Sequence, residues 1–177
     1  MSEPVHVSDY DNAWPHVFEA LRDHLAESLR DVALAIEHVG STAVPGLAAK
    51  PTIDIDVVVA SPRDVPPAIA RLESLGYRHE GDLGVPGREA FGAPDGVPAH
   101  HHHLYVVVEG SPAHENHILL RDHLRMHTDD AAGYARLKRS LAVRYRNDRD
   151  AYTEAKSSLI DELLRRARGR RGVAGGG

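Results

Sequence analysis

No cysteine occurs in the 177 residues, which excludes a disulfide framework and thiolate chemistry. No apolar run approaches the roughly 18 residues of a membrane span, and the N-terminus carries no signal-peptide pattern. Together these absences lead us to expect a soluble cytoplasmic protein without a membrane partner. Positive charge is not in excess. The formal net charge is −5 and charges are spread along the chain, so general nucleic-acid binding is not expected. Aromatics are sparse, at 5%. What remains is an ordinary hydrophobic share of 42%, enough at this length for one domain with a proper core. The thirteen histidines are the outlying feature, with a run at His100–His103 that is internal to the chain.

Ile36 to Val59 reads as strand, loop, strand. A short apolar run ends at Gly40, and Gly40-Ser41-Thr42 opens a loop punctuated by Pro45, Gly46 and Pro51, with Lys50 before the last proline. Ile53 to Val59 is β-branched throughout except for Asp54 and Asp56. Residues i and i+2 of a strand share a face, so the two carboxylates stand side by side while Ile53, Ile55 and Val57 point the other way. Adjacent carboxylates repel unless something neutralises them, and a hard divalent cation with oxygen ligands does so. A glycine-serine turn lets backbone N–H groups approach an anion, and Lys50 adds a point charge suited to phosphate. These parts point to metal-dependent phosphoryl or nucleotidyl chemistry.

Gly40-Ser41, a loop, then Asp54-Ile55-Asp56-Val57 resembles the signature of the DNA polymerase β type nucleotidyltransferase superfamily. The wider stretch His38-Val39-Gly40-Ser41-Thr42-Ala43-Val44-Pro45-Gly46-Leu47, with Lys50-Pro51 and Ile53-Asp54-Ile55, more specifically resembles the GrpB family, a branch of that superfamily. Other marks are Asp11 with Trp14-Pro15, Arg88, His102-His103-Leu104, Arg121-Asp122 with Leu124-Arg125, Tyr134 with Leu137-Lys138, and Tyr152 with Lys156. The resemblance covers roughly residues 8–168. It implies an α/β (α+β) fold, a small mixed sheet flanked by helices with a C-terminal helical layer. The sequence departs from the pattern in three places. The superfamily's third carboxylate is replaced near 100–105 by imidazoles, and Leu120 and His123 stand where the family commonly has aromatics.

Elsewhere, residues 1–10 read as loose and extended, and 11–168 as a single domain that is helical from about 112. Asp11 or Asn12 is expected to cap a helix reaching about Arg30, with Pro15 in its first turn and an apolar stripe of Trp14, Val17, Phe18, Leu21, Leu25 and Leu29. Ser61-Pro62 opens a second helix that Gly76 ends. Short strands are expected near 77–80 and 88–91. Another spans 99–109, with His101, His103 and Tyr105 on one face and His102, Leu104 and Val106 on the other. Helices follow over 112–127, from Thr128 as cap to about 147, and from Asp148 or Asp150 onward. Residues 169–177 are expected to be a disordered tail. Arg121 and Arg125, at i and i+4, form a guanidinium pair suited to phosphate, and Lys138 and Lys156 lie within reach of an anionic ligand.

The residues support three readings. The first is a metal-dependent nucleotidyltransferase acting on a nucleoside triphosphate and an unknown acceptor. Asp54, Asp56 and His103 are then both the catalytic residues and the metal ligands. Gly40, Ser41, Thr42, Lys50, Arg88, Arg121, Arg125 and Lys138 bind the substrate. The cation is Mg²⁺ or Mn²⁺, with Zn²⁺ the alternative if an imidazole ligates. A histidine here also suits a general base. The second reading is a catalytically silent nucleotide- or anion-binding or folding-assistance module, as the family's fusions to dephospho-CoA kinase suggest. The third is a metal-dependent hydrolase using Asp54, Asp56 and His103. Oligomeric state is left open.

Overall fold

A computed structural model of the chain describes residues 4–96 and 102–174, with side chains to residue 170. His100 and His101 of the histidine run and residues 175–177 of the expected tail lie outside the described residues.

Five strands form one mixed sheet in the order β1-β2-β5-β4-β3. β1 is Ala33–Val39, β2 Ile53–Val59, β3 Arg78–Gly81, β4 Arg88–Gly92 and β5 His102–Val108. β2 pairs antiparallel with β1 and parallel with β5, and β4 runs antiparallel to β5 and β3. The β-branched run of β2 takes an interior position between β1 and β5, with its apolar face fully covered. The mixed sheet with helices on both sides is the α/β architecture expected.

Each face has its own cover. Ile53, Ile55, Val57 and Val59 of β2, with Leu104 and Val106 of β5, pack against α1 (Trp14–Leu29) and α2 (Val65–Ser74). Trp14, Leu21, Leu25 and Leu29 are the buried edge of α1, matching the predicted stripe. The opposite face carries Asp54, Asp56 and Val58 beside His103, Tyr105 and Val107, aligned pair by pair in the β2–β5 register. At one end of that face Val58 and Val107 pack on Ala113 of α3 (Pro112–Met126). Beyond it, α3, α4 (Thr128–Arg144) and α5 (Arg149–Ala174) form a helical layer of their own. Its core includes Leu124, Tyr134 and Leu163, which close over Val44 and Leu47 of the β1–β2 loop. The Asp54 end of the face remains open as a cleft.

Several boundaries differ from the expectation for local physical reasons. Asp11 lies outside α1 and accepts a hydrogen bond from the Ala13 N–H at 2.8 Å, so the helix begins only at Trp14. Residues 4–10 are extended but not loose. Val5 is buried against Leu141, Ala142 and Tyr152, and Ser8 bridges to Ala49. Pro62–Asp64 is a separate 3₁₀ turn with a reciprocal Ser61–Asp64 capping box, which absorbs the ambiguity of Pro66 and Pro67. Gly76, at φ +90°, ends α2 as expected. Thr128 does not cap α4: it is the first helical residue, and His127 stands at the boundary. Asp148 receives the Ala151 N–H at 2.9 Å and starts α5. α5 then runs to Ala174, past the expected start of the tail at 169, because its arginine-rich end has good helix formers between the glycines.

Ile55 lies between the two aspartates and is fully buried on the α1–α2 side. Ile55→Ala is expected to destabilise the fold by about 2–5 kcal/mol in denaturant titration, leaving the opposite face's side chains in place.

Candidate active site

Asp54 and Asp56 share one face of β2, as the alternation requires. Asp54 borders the cleft, whereas Asp56 is 0% exposed. Each carboxylate receives an imidazole. His103, its cross-strand partner on β5, donates Nδ1–H to Asp54 Oδ1 at 2.9 Å. His117 of α3 donates Nδ1–H to both oxygens of Asp56, at 2.8 and 3.1 Å. Burial raises the Asp56 pKa, while the His117 hydrogen bond opposes that rise. For His117, burial works against the charged form, but the hydrogen bond and charge of Asp56 outweigh it and raise its pKa.

The Gly-Ser turn is locked to this pair. Gly40 adopts φ +73°, and a Cβ there would fall 2.3 Å from Asp54 Oδ2. The position needs glycine both for its backbone and for the carboxylate packed on it. Ser41–Ala43 is a 3₁₀ turn, and the Ser41 hydroxyl lies 2.9 Å from Lys138 Nζ. Lys138 is only 2% exposed, its ammonium nitrogen 4.4 Å from the Tyr134 ring centre, and burial lowers its pKa to about 7. Lys156 of α5 lies over Tyr152 in the same way, and burial, with the charge of Lys50 adding to it, lowers its pKa to about 8.

These groups wall a cleft of about 500 Å³ between the open half of the sheet and α4–α5. Lys50, Lys138, Lys156, Arg88 and Arg149 line it, against the carboxylates of Asp54 and Glu80. Arg88 stacks its guanidinium on Tyr105 at 4.5 Å, and its buried Nε has no hydrogen-bond partner among the described residues. Arg149 donates to His103 Nε2 at 3.1 Å, so Asp54, His103 and Arg149 form one chain. The excess of cations suits an anionic ligand with several charged oxygens.

The sequence matches the GrpB protein family over residues 4–166. The chain belongs to the GrpB family. It is 40% identical over 165 residues to a UPF0157 protein of Pseudomonas aeruginosa, covering 92% of this chain and 67% of that one. It is 30% identical to a dephospho-CoA kinase of Mycolicibacterium paratuberculosis, covering 93% of this chain but only 46% of the kinase. Against UPF0157 protein YqkA of Bacillus subtilis it spans 43% of the relative's length. The crystal structure of conserved protein GrpB from Enterococcus faecalis superposes with a TM-score of 0.83 at 30% identity, covering 94% of this chain and 99% of that one. The Cid1 poly(U) polymerase, solved with MgGTP bound, superposes with a TM-score of 0.56 at 16% identity, over 78% of this chain and 45% of that one. That likeness shows a nucleotidyltransferase-like fold.

Within this GrpB fold the predicted site residues separate into two groups. Ser41, Lys50, Asp54, Arg88, His103 and Lys138 line the cleft, with Gly40 directly behind Asp54. Thr42 does not line it. It is 1% exposed, donates to Thr52 O and faces His38 Nε2 at 2.9 Å, and burial holds His38 neutral with a pKa of about 4. Arg121 is spent on Glu37, Asp122 and the His38 carbonyl. Arg125 makes a two-nitrogen clasp on Ala43 O. The guanidinium pair therefore braces the end of β1 and the Gly-Ser turn and does not line the cleft. His102 turns to the opposite face and hydrogen-bonds with Tyr77 at 3.0 Å. His117, Arg149 and Tyr105 were not anticipated as site residues.

As a cation site, Asp54 offers a hard carboxylate at the cleft, which suits Mg²⁺ or Mn²⁺ completed by water and ligand phosphate oxygens, whereas buried Asp56 would join it only on release from His117. The donor set does not fit a metal with His103 as third ligand. The His103 Nδ1 is engaged by Asp54, and no group of three or more His, Asp or Glu side chains able to hold a metal occurs among the described residues.

Gly40→Ala forces a methyl group into Asp54 Oδ2 and an L-residue into positive φ. The variant is expected to lose about 1–3 kcal/mol or more in thermal or denaturant unfolding, with Gly46→Ala, which meets nothing within 4 Å, as the milder control.

Proposed function

We propose that the cleft binds a nucleoside triphosphate and transfers its nucleotidyl group to an acceptor hydroxyl. One observation carries this reading: three lysines and two arginines converge on Asp54 beside the Gly40–Ser41 turn. Ser41, Lys138, Lys50 and Lys156 would hold the phosphates, with Arg88 of the same wall as a further cation. His103 would take the acceptor's proton on Nε2, as the acceptor oxygen bonds to the α-phosphorus and pyrophosphate leaves, once Arg149 has left that nitrogen for the phosphates, since Asp54 already holds Nδ1. Asp54, joined by Asp56 if His117 releases it, would hold a divalent cation, whose contribution is to neutralise charge on the phosphate oxygens. The nucleotidyltransferase-like fold supports this reading.

A second reading has one specific observation in its favour. Asp56 is fully buried, and both its oxygens are satisfied by His117. A module that binds a nucleotide or another anion without turning it over needs no more than the cationic wall. The family relationship to half of a dephospho-CoA kinase is compatible with such a part. The hydrolase reading requires His103 as a metal ligand and loses its support in the Asp54–His103 bond.

Titration calorimetry with each nucleoside triphosphate, with and without Mg²⁺ or Mn²⁺, tests the first reading. Binding is expected to need the cation and to weaken at least about tenfold in Asp54→Asn/Asp56→Asn. Binding that is indifferent to both the cation and the substitutions selects the silent module. No binding by a folded protein removes the nucleotide from either reading.

The lysines set the pH dependence. Their pKa values are depressed in the free protein, and a bound polyanion raises them, so binding above pH 7 takes up protons. Affinity is therefore expected to be fully present below about pH 7 and to fall about tenfold or more by pH 9, measured by the same calorimetry in buffers of different ionisation enthalpy.

A further inference from the structure

We propose that the base of the bound nucleotide lies over Gly92 and is guanine, read by the Arg78–Glu80 pair at the edge of the sheet. The inference rests on the nucleotide reading of the cleft and adds its base specificity.

A row of residues crosses the cleft face of the sheet. Asp54 of β2 stands opposite His103 of β5. The antiparallel β4–β5 register, with Ala90 opposite Tyr105 and Phe91 opposite Leu104, brings Gly92 next in line. Gly92 in turn pairs with Arg78 of β3. Neighbouring strands lie about 4.8 Å apart, so Arg78 stands about 14 Å across the sheet from Asp54. A nucleotide with its α-phosphorus at Asp54 and its sugar directed along this row brings its base over β4, at Gly92. That position has no side chain to obstruct a flat ring.

The heads of Arg78 and Glu80 both reach this gap. A Cβ on Gly92 would lie 2.7 Å from Arg78 Nη2 and 2.7 Å from Glu80 Oε1. β3 is irregular between His79 and Gly81, and Glu80 is the residue at that irregularity, which sets its carboxylate beside Arg78 on the cleft side. The two charges are 3.8 Å apart on side chains 69% and 41% exposed, so the pair is loosely held and a ligand separates it at little cost. This end of the cleft is also its apolar end. Leu83 and Ala90 line it, and Leu83, at φ +48° in the β3–β4 loop, is 60% exposed there. A ring lying over Gly92 has that aliphatic surface to cover.

The order of the charges selects the base. Guanine presents two acceptors, N7 and O6, followed by two donors, N1–H and its exocyclic amine, along one edge. A guanidinium donates to the two acceptors bidentately, and a carboxylate accepts from the two donors. Adenine runs acceptor, donor, acceptor along the same edge. Uracil does likewise, and cytosine runs donor, acceptor, acceptor. None of these three offers two neighbouring donors to Glu80, and each turns a lone pair toward the carboxylate when one donor engages it.

The test is titration calorimetry on the full chain with GTP, ATP, UTP, CTP and inorganic tripolyphosphate, all with Mg²⁺, for wild type, Glu80→Gln and Arg78→Met. GTP is expected to bind at least about tenfold tighter than the other nucleotides. Both variants should lose that preference. Glu80→Gln should bind tripolyphosphate at least as well as wild type, because it removes a negative charge from the cleft. Loss of GTP affinity together with retained tripolyphosphate affinity is a result that bulk electrostatics does not produce. Equal affinity for the four nucleotides, a preference for another base, or a GTP preference that survives Glu80→Gln overturns the base assignment and leaves the nucleotide reading standing. Failure of every nucleotide to bind removes the nucleotide reading, and the base assignment with it.

Discussion

Two carboxylates on one face of a central strand are the constraint around which the molecule is arranged. β2 lies inside the sheet, its apolar face is buried against α1 and α2, and on the other face Asp56 is buried as well. Asp54 and Asp56 would repel each other and resist burial if nothing answered them. The answer comes from both sides of the chain. β5 is in parallel register with β2, which places His103 opposite Asp54. α3 crosses the face at its other end and lowers His117 onto Asp56. The parallel pairing and the seat of α3 are therefore electrostatic requirements as much as packing ones. Where α3 stops covering the face, the cleft begins, and Asp54 lies at that boundary.

Much of this was legible in the chain. The Ile53–Val59 run has the composition of a buried strand, and its alternation correctly set Asp54 and Asp56 apart from the apolar face. The same alternation separated His103 from His102, which the structure sends to opposite sides of the sheet. Gly40 and Ser41 could be read because the reason for glycine there is local, a turn at positive φ. Helical spacing was less informative. An i, i+4 relation says that Arg121 and Arg125 share a face, but not what that face meets. It meets the end of β1 and the Ala43 carbonyl, so both guanidinium groups are consumed in bracing the turn. Thr42 failed for a related reason: a side chain in a short turn has no periodicity to show which way it points.

His117 and Arg149 were invisible for a different reason. His117 comes from a helix 61 residues from its partner in sequence and Arg149 from one 46 residues away, and only the docking of α3 and α5 decides that each reaches the site. A single histidine on a helix and an arginine at a helix start carry no local signal of that kind. The family marks Tyr134 with Lys138 and Tyr152 with Lys156 are more instructive. In each pair the tyrosine ring lies under the ammonium of its i+4 lysine, so the repeated spacing is a device for holding a lysine against an aromatic face while it points into the cleft.

That device explains how so many cations can be gathered without the fold bursting apart. Ammonium groups placed within reach of one another would be strongly unfavourable if all stayed charged and hydrated. Burial and mutual repulsion instead lower the pKa of Lys138 to about 7 and that of Lys156 to about 8, so both give up their protons more readily than a free lysine. An entering anion reverses the balance by restoring their protons. Gly40 completes the coupling: with Asp54 packed directly on its backbone, the turn that carries Ser41 and the strand that carries the carboxylates cannot shift independently. Serine, lysine and aspartate are thus held in one fixed relation, and the chemistry of the cleft is decided by which anion enters it.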